Sequence, residues 1–409
     1  MKTRLCIGLV SLFAADALAN PSIYEPGFDS GVGVNLWRVQ PSATTVSQQI
    51  TAMHTAGFRQ VALIPIAFAD TTTGHITRTD NTGFISQTIS DGELDSAIRT
   101  AKTFGMTVTV SPFIQAHGLQ TGRQFMNFTG APAASYFGDY NTLTDNWAKI
   151  AQAAGADRYL VGSELSTLAA DTSHAAAWNT LISTANANFG GKIGYNETHW
   201  DYREAGVTSN IWNNPNIDFV SVSSYRNLAT AAAADASGAA GNPAFVAHVK
   251  GNVNTWLDTE VLPFAHTLRG GAGKPVVMGE LGVIPVNRGT IDPWDWTKIA
   301  GEDSTIAYDR NESRNAFEGI FAALDGRAAE VNSLNLWMWG WEGGFTTEPF
   351  YLNPTTVGNP WPWKRIVPES MAGAQYISSF LKSVPEPTSL SALAGLSVIV
   401  IRRRATRGE

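Results

Sequence analysis

Hydrophobic and polar positions along this chain fall into two alternating periods. Short runs of β-branched and other apolar residues recur, and between them lie longer stretches whose apolar positions return every three or four residues. The first kind of run predicts strands over residues 31–37 (GVGVNLW), 58–66, 106–114, 158–164, 192–196, 217–224, 275–280 and 334–341. The second kind predicts helices over 46–56, 94–104, 136–154, 178–189, 244–266, 314–324 and 371–381. Eight strand–helix repeats in succession are the pattern of an α/β protein built as a (β/α)8 TIM barrel, here a single domain over residues 20–383. A doubly wound open sheet is the competing arrangement. It would show a glycine-rich phosphate loop after its first strand, and none follows Trp37.

Both ends of the chain read differently from this body. Lys2 and Arg4 precede an apolar run over residues 5–15 and the small-residue triplet Ala17-Leu18-Ala19, which predicts a secretory signal peptide over residues 1–19. The only cysteine, Cys6, lies inside it, so the remaining chain is expected to have neither thiol nor disulfide. Near the other end, Val384-Pro385-Glu386-Pro387 is followed by an apolar stretch over 390–401 and then Arg402-Arg403-Arg404. Residues 384–409 resemble the PEP-CTERM sorting signal of Gram-negative bacteria. The resemblance implies export and sorting machinery as partners, transient membrane anchoring, and delivery to the cell surface or extracellular matrix. The apolar stretch is shorter than the ~20 residues of a full span, and the arginines would hold its end on the cytoplasmic side.

Composition narrows the function. With 44% apolar and 15% charged residues, the body can bury a sizeable core. Its net charge of −7 includes the arginines of both ends, so the part between them is more acidic still, which argues against nucleic acid as a partner. A polysaccharide lyase acting on uronates would want cations and is disfavoured for the same reason. The 13 tryptophans suit either core packing or platforms for sugar rings. The histidines (54, 75, 117, 174, 199, 248, 266) form no HExxH or His-x-His spacing, and neither a Walker loop nor GxSxG occurs, so no metal and no cofactor is expected.

In a barrel of this kind the active site lies at the carboxyl ends of the strands. Read in order, those ends carry Asn35 and Trp37, Phe68 and Asp70, Gln115 and His117, then Glu164. Asn196, Glu197, His199 and Trp200 follow, then Tyr225, Glu280, and finally Trp337, Trp339, Trp341 and Glu342. A polar and aromatic rim on an apolar frame fits a neutral polysaccharide or oligosaccharide. Two carboxyl groups flanking a scissile bond are what glycosidic hydrolysis needs. Glu164 and Glu280 each close an apolar run (YLVGSE and PVVMGE), each with a small residue before it. Glu197 is the rival, since Asn196-Glu197 superficially forms an Asn-Glu pair, but it follows the fifth strand.

Acid/base after strand four and nucleophile after strand seven resemble clan GH-A glycoside hydrolases. Within that clan the chain resembles glycoside hydrolase family 113, whose known members are β-1,4-mannanases. The matching segments include GVNLW, TVTVSPFIQ, RYLVGSEL, NIDFVSVSSY, GKPVVMGELGV and NLWMWGWE, all in order. The resemblance implies that Glu164 is the general acid/base and Glu280 the nucleophile of a retaining, endo-acting β-glycoside hydrolase. It implies that Tyr225 contacts the nucleophile and that Trp337 and Trp339 floor the subsite of the sugar whose bond is cut. Asn35, Trp37, Ser163, Asn196 and Trp200 complete the expected substrate contacts. Two departures bear on sugar specificity. Ser163 stands where many clan members have Asn, and Ser111-Pro112-Phe113 stands where the family tends to have Lys-Pro-His, which removes a cation and an imidazole from one side of the cleft. A β-glucan or galactan hydrolase of the same clan, and a non-catalytic carbohydrate-binding protein on a degenerate barrel, stay open.

Overall fold

The structure is a computed structural model and describes residues 28–38, 45–82, 87–119, 121–284, 286–294 and 309–337. Eight parallel strands follow one another around a closed barrel: β1 (Asp29–Asn35), β2 (Gln60–Ile64), β3 (Thr107–Val110), β4 (Arg158–Ser163), β5 (Lys192–Thr198), β6 (Phe219–Ser223), β7 (Val276–Leu281) and β8 (Val331–Leu336). Val32 pairs with both Val61 of β2 and Leu336 of β8, which closes the ring. Strands such as β2 and β6 are buried at every position, and that explains their uninterrupted apolar runs. The fold is the (β/α)8 TIM barrel that the alternation predicted.

Helices cover the outside, and their ends follow local chemistry. Helix α1 (Val46–Ala56) starts at a reciprocal Thr45–Gln48 capping box and stops at Gly57, whose φ of 104° a side chain would resist. Helix α2 (Asp91–Thr103) starts at a Ser90–Glu93 box, three residues before the predicted start. Helix α3 (Gly130–Ala154) is longer than predicted and ends at Gly155. Helix α4 (Ala175–Asn188) covers β4 and β5, and α5 (Pro243–Trp256) packs beside α6 (Arg310–Leu324). Trp147, Trp178 and Trp212 are wholly buried between helices and barrel, so these tryptophans are core.

Inside the barrel, Leu160, Phe219 and Val277 fill one layer, and Gly194 is small because the Phe219 ring occupies the space of its missing side chain. At the amino-terminal end the interior is polar: Arg158 donates to Gln60 (2.6 Å) and Asp29 (2.9 Å), and Ser333 also donates to Gln60 (2.8 Å). Asp218 accepts from the Ile193 amide (2.9 Å) and faces Lys192 and Arg269 at this same end, far from the strands' carboxyl ends.

Three differences from the predicted elements have physical causes. Pro65 and Pro112 lack the N–H a ladder needs, so the second and third predicted strands each break. Their continuations, Ile66–Ala69 and Phe113–Ala116, leave the barrel together as a separate parallel pair. The fifth strand runs on to Thr198 and takes Glu197 into the sheet. The eighth ends at Leu336, with the Trp337 amide still bonded to Leu281 (2.7 Å). Residues 1–19, 371–381 and 384–409, together with Trp339, Trp341 and Glu342, lie outside the described residues.

Candidate active site

The carboxyl ends of β4 to β7 converge on Glu280. This carboxylate sits within β7, 6% exposed, and receives hydrogen bonds from three neighbours. Ser163 Oγ at the end of β4 and Asn196 Nδ2 in β5 both donate to Oε1 at 3.4 Å, and the Tyr225 hydroxyl just past β6 donates to Oε2 at 3.4 Å. A second layer holds the first. Asn196 Nδ2 also donates to Ser163 (2.9 Å) and Ser223 (2.8 Å), while Ser221 donates to Asn196 Oδ1 (2.8 Å). Gly279 makes this possible, because a β-carbon there would land on Asn196 Oδ1 and Ser221 Oγ.

Glu164 is placed by its backbone. It is one of four non-glycine residues with positive φ among those described, at 52°, and its amide donates to the Asn196 carbonyl at 2.7 Å. Such a conformation costs on the order of 1–3 kcal/mol and clusters at functional sites. Leu165 continues the bend with its amide bonded to the Tyr195 hydroxyl (3.0 Å).

Arg123 joins the two glutamates. Its Nη2 lies 2.6 Å from Glu164 Oε2 and 3.7 Å from Glu280 Oε1, and its guanidinium carbon stands 4.1 Å above the Phe113 ring. Those two carboxylate oxygens are therefore no farther apart than the two contacts laid end to end. Arg123 belongs to the short 3-10 turn Arg123–Phe125 in the loop after the third strand. The expectation that Ser-Pro-Phe leaves this side without a cation is thereby corrected: the cation comes from the loop and rests on Phe113.

Electrostatics follow from this packing. Burial, then the neighbouring Glu164 carboxylate, push Glu280 up to about 8, against the pull of Arg123, Ser163 and Tyr225. A proton is thus retained by the pair well above the ordinary carboxylate range. Glu197, wholly buried, is also pushed up to about 8, mainly by burial. It accepts from Ser166 Oγ (2.6 Å), the Thr198 amide (2.7 Å) and the Tyr195 hydroxyl (3.0 Å). It faces the helix layer, so it neither lines the cleft nor stands opposite Glu280. Burial likewise drops His199 to about 4.

The structure brings together Glu164, Glu280, Ser163, Asn196 and Tyr225. Asn196 is buried with its amide fully engaged, so it orders Glu280 and Ser163 where a substrate contact was expected. Trp337 stacks on Phe113 with ring centroids 5.8 Å apart and packs against Tyr225, which sets it beside the pair. Trp200 stands away at the rim, 54% exposed and edge-on to Trp294 at 5.3 Å. Asn35 closes β1, and Trp37 lies in the short strand after it. His117 is tied to Asp80 (3.2 Å) and the Asn81 amide (3.0 Å), and Asp70 caps its own turn by accepting from Thr72 and Thr73. Among the described residues no group of three or more His, Cys, Asp or Glu is gathered as a metal site would require. Arg123, Ser221 and Ser223 were not singled out from the sequence. The one available signal for Arg123 was a lone arginine in an otherwise uncharged strand-end loop (HGLQTGRQF).

Comparison with known proteins agrees with the fold. The model of Glycoside Hydrolase Family 113 matches residues 33–348. The chain is similar over 88% of its length to the whole structure of the family 113 β-mannanase AaManA from Alicyclobacillus acidocaldarius in complex with ManMIm, with 18% identity and a TM-score of 0.59. Over 87% of its length it is similar to 99% of another family 113 β-1,4-mannanase structure, with 18% identity and a TM-score of 0.61. A third, a complex of a family 113 β-1,4-mannanase, is 19% identical with a TM-score of 0.56, covering 85% of this chain and 98% of the other. At these identities the likeness speaks to the fold. No curated protein sequence matches the chain.

Proposed function

We propose a retaining, endo-acting mechanism for this chain, which belongs to glycoside hydrolase family 113 and is a β-glycoside hydrolase. Glu280 is the nucleophile and Glu164 the general acid/base. Glu280 attacks the anomeric carbon while Glu164 gives its proton to the departing glycosidic oxygen, so that a glycosyl–Glu280 ester forms as the glycosidic bond breaks. Glu164, now ionised, takes a proton from water, whose oxygen releases the sugar with its configuration retained.

The observation that carries this reading is the shared contact with Arg123. Two carboxylates that share one guanidinium nitrogen at 2.6 and 3.7 Å accommodate the ~5–5.5 Å between carboxyls of retaining enzymes. Three hydroxyl or amide donors aimed at Glu280 favour the charged form a nucleophile needs. Glu164, bent into the site at the end of β4 opposite Glu280, is left as the group that meets the departing oxygen.

For the substrate we favour β-1,4-mannan or glucomannan, because the similar structures are named β-mannanases. We assign Trp337 and Trp339 to the floor of the subsite at the cut bond, and Asn35, Trp37 and Trp200 to further contacts with the substrate. The signal-peptide-like residues 1–19 and the PEP-CTERM-like residues 384–409 support action outside the cell, at the surface or in the matrix. The test is incubation with mannan, glucomannan, cellulose, xylan and galactan, with products identified and the anomer followed by proton NMR. Mannan or glucomannan is expected to yield oligosaccharides with β configuration first. Glu164→Gln and Glu280→Gln are each expected to abolish release while leaving thermal unfolding cooperative. Initial α products overturn the mechanism, activity in either variant overturns the assignment, and inertness on all five polymers favours a binding protein.

A further inference from the structure

We propose that Arg123 is a positioning residue that serves as the shared counter-ion of the Glu164–Glu280 pair, delivered from the loop after the third strand and seated on Phe113. The inference rests on the catalytic reading of that pair and adds the group that sets its working pH.

Three observations carry it. One guanidinium nitrogen reaches both carboxylates, so its charge bears on the pair as a unit. The guanidinium plane lies over an aromatic face at 4.1 Å, which fixes its position where an aliphatic neighbour would leave it free to swing. Among the described residues Arg123 Nε is buried without a hydrogen-bond partner, which leaves the two glutamates and the ring as the contacts that hold this side chain in the site. Phe113 in turn stacks on Trp337, which links the cation's seat to the aromatic floor.

The other ionisable groups that face this cluster push the opposite way or are neutral. Glu197 from β5 is held neutral to about 8, chiefly by burial, and so adds no charge to the cluster near neutral pH. Burial holds Tyr195 of the same strand neutral, and the Tyr225 hydroxyl after β6 donates to Glu280. Arg123 is therefore the counter-ion that lets the first proton leave. Without it, burial and the neighbouring carboxylate would push Glu280 higher still, and a protonated Glu280 is no nucleophile. The cation's nearer contact in the free site is Glu164, so a bound substrate that needs Glu164 protonated shifts the guanidinium's partnership toward Glu280.

The test uses Arg123→Gln and Arg123→Lys in the full chain, each read in two ways. In pH profiles of kcat/KM on soluble glucomannan, Arg123→Gln is expected to move the ascending limb up by about 1–3 pH units, a tenfold loss per unit on the acid side, and Arg123→Lys to restore most of it. Independently of activity, the side-chain carboxyl 13C signals of glutamate-labelled protein, assigned with Glu164→Gln and Glu280→Gln, are expected to titrate higher in Arg123→Gln. A Gln variant that is slower with its limb and its carboxyl titrations unmoved overturns the proposal and leaves Arg123 as packing. A Gln variant that is faster at every pH also overturns it and marks Arg123 as a plug that substrate must displace. If the parent protein cleaves nothing while the carboxyl titrations still move, the catalytic reading fails and the role of Arg123 stands.

Discussion

Glu197 offers a quantitative check on the electrostatics, because its carboxyl is wholly buried and has no part in the proposed chemistry. Burial lifts it from an ordinary 4.5 to about 8. The folded state therefore binds this proton more tightly than the unfolded chain. The associated stability is fully present below about pH 4.5 and is lost as the pH climbs through 8. Between pH 5 and pH 8 the loss is about 3–4 kcal/mol, at roughly 1.4 kcal/mol per unit. Glu197→Gln is nearly isosteric and cannot ionise, so its stability should fall less steeply over that window, by the ~3–4 kcal/mol that Glu197 contributes. At pH 5 the variant should be the weaker by about 1–3 kcal/mol. The Tyr195 hydroxyl, which receives the Leu165 amide (3.0 Å) and gives its own hydrogen to Glu197 (3.0 Å), then meets an amide NH2 where an acceptor stood. At pH 8 the order should narrow or reverse. Urea denaturation of both proteins at half-unit intervals measures this, and Glu280 contributes equally to each, so it cancels. Parallel curves for the two proteins would refute the argument.

Two further outcomes test the site's scaffold. Gly279→Ala sets a methyl group onto Asn196 Oδ1 and Ser221 Oγ, so it should cost about 1–3 kcal/mol in denaturation and a far larger share of kcat, since the same atoms order Glu280. Tyr225→Phe removes a donor 3.4 Å from Glu280 Oε2 that holds the carboxyl down, so the ascending limb of kcat/KM should move to higher pH while the unfolding temperature changes little.

Much of the barrel was legible because its strands are buried on both faces and so read as unbroken apolar runs. What was not legible was where proline would divide them. The segments before Pro65 and Pro112 join the barrel and those after leave it, a choice made by pairing between two distant runs (Ile66 opposite Phe113) and invisible in either alone. Helix starts were placed late where the first turn is polar. Ser90 and Glu93 form the capping box that announces α2, and reading apolar period alone passes over it. In the site, Glu164 and Glu280 stood out as carboxylates ending apolar runs. The fate of the Asn196-Glu197 pair follows from strand geometry: successive side chains point to opposite faces, so Asn196 enters the barrel beside Ser163 while Glu197 joins Tyr195 on the helix side. That needed the strand to continue to Thr198, two residues past its predicted end. Arg123 needed tertiary structure altogether, since nothing local says that a loop arginine will turn inward over Phe113.

The two glutamates are supported in different ways, and the difference matches the work proposed for them. Glu280 is fixed from three directions by donors on strands packed so closely that only glycine fits before it. A nucleophile must meet one carbon along one line, and a group braced on rigid strands holds that line through both halves of the reaction. Glu164 has no comparable ring of donors in its side chain's contacts with the described residues. Its position comes from a strained backbone at φ 52°, locked by the amide bond to the Asn196 carbonyl. A general acid/base must change its protonation state twice in each cycle, and a full set of fixed donors would bind its charged form too well to let the proton return. Strain in the main chain aims such a group, and its one charged contact among the described residues is the Arg123 guanidinium at 2.6 Å. Asn196 serves both designs at once, its side chain ordering Glu280 and its carbonyl holding Glu164, which makes β5 the strand that sets one carboxylate against the other.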